Sequence, residues 1–299
     1  MSVSRMFRRV FAYAPGRASK ISLFPSGNDA IRPCWITSLD PPPPGNEQSG
    51  WKIHRIFRGP TASMKQFSTH VSVLVSGRLP HAPHEHEEEE LLIMLSGEAD
   101  IMTLYAGSPT AATSRVVPGS IVYHSACQKH TIQSVGPIPA TYLIFKWTGT
   151  SGQRREPTLK SSIFQSSGFF DDSSSASAGQ TARTVIFESP TRYLLKLRCH
   201  LTTLLPGAGY PPHADSYDVA ILTLSGTVET LGRQVTPSSV IFYAAGEPHG
   251  MKNAGTVPAR YLVIEFHSSR LRRNRYSLVR KGTHIIRRLF PGPYSLHLW

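Results

Sequence analysis

The sequence is poor in cysteine and has no long apolar run. Its three cysteines, Cys34, Cys127 and Cys199, are widely separated among 299 residues and form no CxxC pair. This odd, scattered set argues against a disulfide framework and favours a reducing compartment. No apolar stretch approaches the roughly 20 residues that a membrane-spanning helix needs. Ser/His/Asp triads, phosphate-binding loops and dinucleotide fingerprints are also missing, so nucleophilic hydrolysis and nucleotide chemistry have no support.

Acidic residues are missing from both ends of the chain, and the formal net charge is +13. None occurs before Asp29, and residues 270–288 carry many arginines with no acid. We interpret both ends as solvated arms, because no nucleic-acid motif accompanies the charge; nucleic acid, anionic membrane or an acidic partner are the alternatives. The N-terminus lacks the apolar core of a secretory signal but resembles an Arg- and Ser-bearing transit peptide. We predict a cytoplasmic protein, with an organellar location as the alternative.

Short apolar stretches separated by turn signals predict an all-β chain. They recur through residues 51–149 without a helical period. The stretches are Val71–Val75, Leu91–Leu95, Ile101–Tyr105, Ile121–Tyr123 and Tyr142–Trp147. Strands at this spacing are typical of a β-barrel or sandwich.

Composition divides the chain into five segments. A proline run ends the first segment, and serine and glycine enrich the third, so both are interpreted as connecting chain. We expect the basic tail to pack across the partner barrel, with an amphipathic membrane-surface helix as the alternative. The segments are an N-terminal arm (1–50), a first barrel (51–149), a linker (150–183), a second barrel (184–267) and the C-terminal tail (268–299).

The second unit repeats the first. His213 follows His84, and Gly226 follows Gly97, at the same shift of 129 residues. Near the end of each unit the shift falls to 119, where Pro258-Ala259 follows Pro139-Ala140. Ordered matches of this kind indicate two copies of one fold. The difference of ten residues predicts a longer loop in the first unit, around residues 106–115.

Histidine and glutamate residues of the first unit are spaced for a metal site. His84, His86 and Glu90 stand at even offsets, so an unbroken strand would point their side chains the same way. His130 would bring a third imidazole from another strand. Mixed nitrogen and oxygen ligands suit Fe, Mn, Ni, Cu or Zn. The spacing therefore predicts a divalent-metal site.

This spacing resembles the two motifs of the cupin superfamily. The first motif, G-x(5,6)-H-x-H-x(3,4)-E-x(6)-G, is complete from Gly77 to Gly97. The second, G-x(5)-P-x-G-x(2)-H-x(3)-N, keeps His130, but serine and cysteine replace three other positions. These replacements are Ser125, Cys127 and Ser134. We expect Cys127 to be a small buried residue, with a place on the wall of the metal pocket as the alternative.

The resemblance extends to the second unit and implies a two-domain bicupin. It implies two tandem jelly-roll barrels (double-stranded β-helices) with extended basic termini. It also implies that the metal of the first barrel is held by four side chains. These are His84, His86, Glu90 and His130. Apolar residues beside them, Leu92, Met94 and Ile132, predict a dry pocket for a modest organic molecule.

The second barrel has an altered set of ligands. Val219 takes the glutamate position, and Asp218 has an odd offset from His213 that turns it to the other strand face. The remaining candidates, His213, Asp215 and His249, have the composition of a facial triad for non-haem iron. The alternative is a degenerate barrel kept for packing or for binding an organic ligand without metal.

A metal-dependent bicupin enzyme is the predicted function, with iron as the metal and a dioxygenase-type reaction on a small organic substrate. Manganese, nickel, copper or zinc would suit the same ligands, and manganese decarboxylases, isomerases and aminohydrolases are alternatives within the family. A non-catalytic module that binds or senses a small molecule is the second hypothesis, and a storage or scaffold role is the third. The family also implies a homodimer. Fold alone does not decide among these, because cupins host many activities.

Overall fold

The computed structural model describes residues 34–39, 50–108, 110–149, 159–165 and 181–268, and within these ranges it contains strands and no helix. The predicted all-β class is thus confirmed. The basic arm before residue 34 and the tail after residue 268 lie outside the described residues. The strands are β1 (Cys34–Ser38), β2 (Trp51–Gly59), β3 (Met64–Leu74), β4 (Glu89–Ser96), β5 (Ala99–Leu104), β6 (Ala112–Val116), β7 (Ser120–His124), β8 (Lys129–Ser134), β9 (Ala140–Gly149), β10 (Ser162–Gln165), β11 (Thr181–Ser189), β12 (Lys196–Leu204), β13 (Gly209–His213), β14 (Asp218–Ser225), β15 (Val228–Thr230), β16 (Arg233–Val235), β17 (Ser239–Tyr243), β18 (His249–Asn253) and β19 (Ala259–His267).

The strands form two jelly-roll barrels, each made of a large and a small antiparallel sheet. In the first barrel the strand orders are β10-β7-β4-β9-β3-β2 and β6-β5-β8. In the second they are β1-β17-β14-β19-β12-β11 and β13-β18-β15-β16. The β5–β6 hairpin of the first barrel is longer than the β15–β16 hairpin, which turns at Leu231 and Gly232. The longer loop that the repeat predicts is therefore present.

Alternate side chains along the strands of the large sheets face two different apolar cores, one between the barrels and one inside each barrel. On β4, Leu91 and Ile93 join a core that runs between the barrels. Their neighbours Leu92 and Met94 point into the first barrel instead. Successive strand residues face opposite sides of a sheet, so β4 is buried on both faces and has no solvent-exposed side.

Aromatic rings fill the core between the two barrels. Phe67 of the first barrel lies 5.2 Å from Phe242 and 5.6 Å from Phe266 of the second, measured between ring centroids. Trp147 lies 5.3 Å from Phe266. All four side chains are buried. Because aromatic side chains bury large apolar areas, this cluster joins the barrels into one packed unit.

Each barrel takes one of the two edge strands of its large sheet from the segment that precedes the other barrel. Strand β1, within the predicted N-terminal arm, pairs with β17 of the second barrel. Strand β10, within the predicted linker, pairs with β7 of the first barrel. The two segments therefore contain sheet strands as well as connecting chain. Their pairing covers the exposed edges of β7 and β17, which a free sheet would leave open.

Candidate metal centre

The predicted ligands of the first barrel converge, but not by means of one unbroken strand. Strand β4 begins only at Glu89, and His84 and His86 lie in the irregular segment before it. His84 is held by an isolated bridge, in which its backbone NH donates to the His130 carbonyl at 3.1 Å and its carbonyl accepts the return bond at 2.9 Å. The expectation of a continuous strand was wrong, because the chain must bend to bring both imidazoles over β8.

The ligand atoms of this cluster lie close enough for one ion. Those of His84, His86 and His130 are all within 4.8 Å of one another, and so are those of Glu90, His124 and His130. Glu90 connects the two groups: its Oε2 lies 3.3 Å from His86 Nε2, and its Oε1 lies 3.8 Å from His130 Nε2. The four predicted ligands therefore occupy one place in the barrel.

Backbone carbonyls orient two of the imidazoles. His86 Nδ1 donates to the Glu88 carbonyl at 3.0 Å, and His130 Nδ1 donates to the Gln128 carbonyl at 2.7 Å. The Nε2 atom of each ring then lies on the side of the Glu90 carboxylate. Histidines that bind metals are usually oriented by such a bond from the other ring nitrogen.

Burial and neighbouring charge set the protonation of the cluster. Burial, together with the nearby imidazoles, lowers the pKa of His84 to about 4. Burial opposes ionisation of Glu90, but the charge of Lys146 and a hydrogen bond from His130 outweigh it and hold the pKa of Glu90 well below the usual range. The cluster thus offers an ionised carboxylate and, at His84, a neutral imidazole at pH 7, which are the forms that bind metals.

His124 is a fourth histidine of this cluster, and the sequence analysis missed it. Its ring stacks on that of His130, with centroids 3.9 Å apart and planes 10° from parallel. Burial lowers its pKa to about 3, and within the described part of the chain its Nδ1 is buried without a hydrogen-bond partner. Alternation along the strand could have indicated its position: His124 lies on β7 two residues after Val122, and the side chain of Val122 also faces the interior of the barrel.

Lys146 is the other group that sequence reasoning missed. It stands opposite Glu90 in the pairing of β4 with β9. Its Nζ donates to Glu90 Oε2 at 2.8 Å and to His86 Nε2 at 3.0 Å. Alternation along β9 could have indicated this position, because Tyr142, Ile144 and Lys146 are two residues apart in turn and all line the same cavity.

A cavity of about 200 Å³ opens beside the cluster. Leu92 and Ile132 line it as predicted, whereas Met94 packs in the apolar core of the barrel. Cys127 is exposed, which corrects the expectation that it is buried. It holds a backbone φ of 62° in the turn before β8, at a position where the cupin motif has glycine.

The second barrel assembles a more open cluster. Asp215 Oδ2 lies 3.4 Å from His249 Nε2 and 3.7 Å from His213 Nε2. These ligand atoms also lie within 4.8 Å of one another, but His213 is exposed. Asp218 turns away from the cavity, as its odd offset predicts, and Val219 lines the wall.

The cavity of the second barrel is larger and more polar, at about 400 Å³. Glu265 stands in it at the position of Lys146 in the first barrel. Its Oε1 lies 3.1 Å from His200 Nε2, and its Oε2 lies 2.8 Å from His267 Nε2. Four tyrosines also line the wall: Tyr210, Tyr217, Tyr243 and Tyr261.

The donor set of the first barrel fits a divalent metal. Three imidazoles and one carboxylate converge, two rings are oriented by carbonyls, and the carboxylate is ionised. His84, His86, Glu90 and His130 would hold the ion, with His124 stacked behind His130. The second barrel offers a weaker set, because one of its three groups is exposed and no glutamate stands on β14 at the equivalent position.

Comparisons with known proteins place the fold. No protein-family model matches the sequence, and no curated protein matches it. Among solved structures, the chain is similar to the putative glyoxylate-induced protein from Pseudomonas aeruginosa, at 13% identity and a TM-score of 0.60 over 87% of this chain and 97% of that one. It is also similar to a cupin 2 conserved barrel domain protein from Leptotrichia buccalis (13% identity, TM-score 0.52, 74% and 91% covered).

A mutant of the oxalate decarboxylase OxdC from Bacillus subtilis is similar as well, at 14% identity and a TM-score of 0.52 over 81% of this chain and 79% of that one. At such identities the likeness concerns the fold, since unrelated activities share it. Together with the two barrels and their repeated topology, it identifies the architecture: the chain has the cupin fold, in two tandem copies.

Proposed function

We propose that this protein is a metal-dependent enzyme whose active site is the first barrel. The observation that carries the proposal is the meeting of Glu90, buried and ionised, with three imidazoles beside an apolar cavity. Burying an ionised carboxylate is costly unless a charged or hydrogen-bonding group compensates it. A site of this composition beside a cavity is therefore a candidate for catalysis.

The reaction class that we favour is a dioxygenase-type oxidation of a small organic molecule, with iron as the metal. A bound metal would supply Lewis acidity and open coordination positions for an oxygen-bearing substrate. The chain would hold the metal with the four ligands and exclude water with Leu92, Ile132 and Ile144. A cavity of about 200 Å³ favours a small substrate. Manganese, nickel, copper or zinc would be accepted by the same nitrogen and oxygen donors.

Two alternatives each have a specific observation in their favour. A non-catalytic module that binds a small molecule is favoured by the second cavity, which is larger and has an incomplete ligand set. A decarboxylase, isomerase or aminohydrolase with manganese is the other, and the fold that this chain shares with an oxalate decarboxylase is consistent with it. Both keep the same candidate metal ligands in the first barrel.

The test is the metal content of protein purified without added metal, for the wild type, Glu90→Ala and Asp215→Ala. We expect about one iron per chain in the wild type and in Asp215→Ala, and a loss of metal in Glu90→Ala. Oxygen-uptake screens on small organic substrates would follow. Manganese in place of iron would favour the second alternative, and absence of metal from every preparation would contradict an enzyme of this kind.

We also propose a cytoplasmic homodimer. Each large sheet has two edge strands, β10 and β2 in the first barrel and β1 and β11 in the second, and none of them has an outer partner strand among the described residues. Edges of this kind are commonly covered by a second subunit. The cysteines Cys34, Cys127 and Cys199 are all free, which is compatible with a reducing compartment. Within the described residues, no helix is long and apolar enough to cross a membrane. Light scattering of the purified full chain would test the dimer.

A further inference from the structure

Lys146 lies inside the group of predicted metal ligands. Its side chain is 22% exposed, and that of Glu90 is 4% exposed, so the pair is largely removed from water. The ammonium contacts Glu90 Oε2 at 2.8 Å and His86 Nε2 at 3.0 Å. Because an ammonium is only a donor, both contacts use lone pairs of the partner atoms.

The same lone pairs would bind a metal. Metal–ligand distances at histidine and carboxylate are about 2.0–2.2 Å, so an ion on Glu90 Oε2 and His86 Nε2 would occupy the space in which these atoms now meet the ammonium. Two cations at one carboxylate would also repel each other in a site of low dielectric. Binding of a metal and the present contacts of Lys146 therefore exclude each other.

The second barrel supports a link between this lysine and the glutamate. There Val219 replaces Glu90, and Glu265 replaces Lys146, at the same paired positions of β14 and β19. In the described part of the chain, Glu265 is held by His200 and His267 and makes no hydrogen bond with the Asp215 cluster. A lysine at this position is thus present in the barrel that has a glutamate at the paired position.

We propose that Lys146 is an internal cation of the first site, which stabilises Glu90 in the metal-free protein and must leave it when a divalent metal binds. The inference rests on the proposed metal site and adds a competition between Lys146 and the metal for Glu90. The metal-free fold would keep its buried carboxylate neutralised, and metal affinity would be lowered by the work of displacing the ammonium. Lys146 acts here on the ligands and is a positioning residue.

The experiment compares metal affinity and metal-free stability in the full chain. Wild type, Lys146→Met and Lys146→Gln are stripped with a chelator and titrated with Zn²⁺ and with Mn²⁺ in a calorimeter, and thermal unfolding is recorded before each titration. We expect Lys146→Met to bind metal at least tenfold more tightly than the wild type and, without metal, to unfold several degrees lower. Lys146→Gln keeps a hydrogen-bond donor for Glu90 without the positive charge. Its metal affinity replaces that of Lys146→Met in the comparison if Lys146→Met does not fold. Lys65→Met, on an exposed position of β3, is the matched control and should change neither property.

The outcomes separate this inference from the proposed function. Equal metal affinity in the wild type and both Lys146 variants would overturn the competition and leave the metal site standing. Metal binding by the variants alone would support the competition and remove the support for a metal enzyme in the native chain. No binding by any of the three would overturn both.

Discussion

Glu89 and Asp218 occupy equivalent positions in the two barrels, and each accepts hydrogen bonds from a turn of the opposite barrel. Both residues begin the strand that leads into the shared core, one position before Glu90 and Val219 respectively. Glu89 accepts from Thr191 Oγ1 and from the Arg192 backbone NH, both at 2.7 Å. The two carboxylates thus make a reciprocal pair of connections between the barrels.

The donors on each carboxylate are buried and numerous. Glu89 also accepts from Trp147 Nε1 at 2.7 Å and from the Tyr123 hydroxyl at 2.9 Å. Asp218 accepts from the Thr61 hydroxyl, the Ser63 hydroxyl and backbone NH, and the Ala245 backbone NH. Burial raises the pKa of both carboxyls, and these donors act against the shift.

Replacing Glu89 by glutamine should destabilise the protein strongly. Each oxygen of Glu89 accepts from two donors, and the amide nitrogen of the substituted side chain would meet two of them with donors of its own. Buried donors left without an acceptor cost about 1–3 kcal/mol each, so we expect Glu89→Gln to lower the free energy of unfolding by about 3 kcal/mol. Chemical denaturation would measure it, and Asp218→Asn should act similarly. Glu85→Gln, at an exposed position, is the control and should change stability by about 0.5 kcal/mol or less.

Gly97 should tolerate alanine much less well than Gly77. Both have positive φ, at 73° and 77°. A Cβ at Gly97 would lie 2.8 Å from Ala140 Cα and closer still to the Pro139 carbonyl oxygen, whereas one at Gly77 meets nothing within 4 Å. We expect Gly77→Ala to cost about 1 kcal/mol from backbone strain alone and Gly97→Ala to cost about 3 kcal/mol or more. Equal losses in thermal or denaturant unfolding would contradict the steric explanation.

His200 should make the protein sensitive to mild acid. Burial, with a contribution from Arg183, lowers its pKa from 6.5 to about 4 in the folded state. Between these values the unfolded chain binds a proton that the folded chain does not, so stability falls as pH decreases from about 6.5 to 4. His200→Gln removes this titration. From pH 7 to pH 5 the variant should lose about 2 kcal/mol less than the wild type.

Unfolding free energies of the two proteins at several pH values would check this prediction. Above pH 7 their stabilities should run parallel, because His200 is neutral in both states of the wild type there. A pH dependence in His200→Gln that matches the wild type between pH 7 and pH 5 would show that this imidazole does not provide the effect.

Trp35 should stabilise both barrels although it lies in the predicted arm. Its ring stacks on Phe242 of the second barrel, with centroids 5.4 Å apart, and on Phe57 of the first at 6.0 Å. Since the side chain is partly buried, we expect Trp35→Ala to lower the free energy of unfolding by about 2 kcal/mol. Tyr105→Ala, at an exposed position, is the control. If both substitutions had the same small effect, β1 would contribute little to the fold.

The fold and most of the site could be predicted because their signals are local. Alternating apolar residues give strands such as β5, and the repeat of His84 and Gly97 at His213 and Gly226 gives the second barrel. The gathering of His84, His86 and Glu90 follows from short spacing in one segment. These features depend on residues close together in the chain, which period and motif can describe.

The missed features depend on pairing between distant segments. Lys146 meets Glu90 only because β9 pairs with β4 in one register, and a shift by one residue would turn it out of the cavity. The partners of Glu89 include a turn of the other barrel, so nothing in the run of four glutamates distinguishes it from its neighbours. Strand β1 is short and follows no motif, and its partner β17 lies near the far end of the chain.

The pairing of β1 with β17 has a consequence for how the chain is completed during translation. Cys34 pairs with Tyr243, so the first of the described strands to be synthesised waits until about 200 further residues have been added. The first barrel receives β10 soon after its other strands and can close while the second is still being made. A chain released early would therefore leave β1 and the first barrel's face of the shared core without their partners, a form open to proteolysis and aggregation. Full-length synthesis is what brings the two ends of the described chain into one sheet.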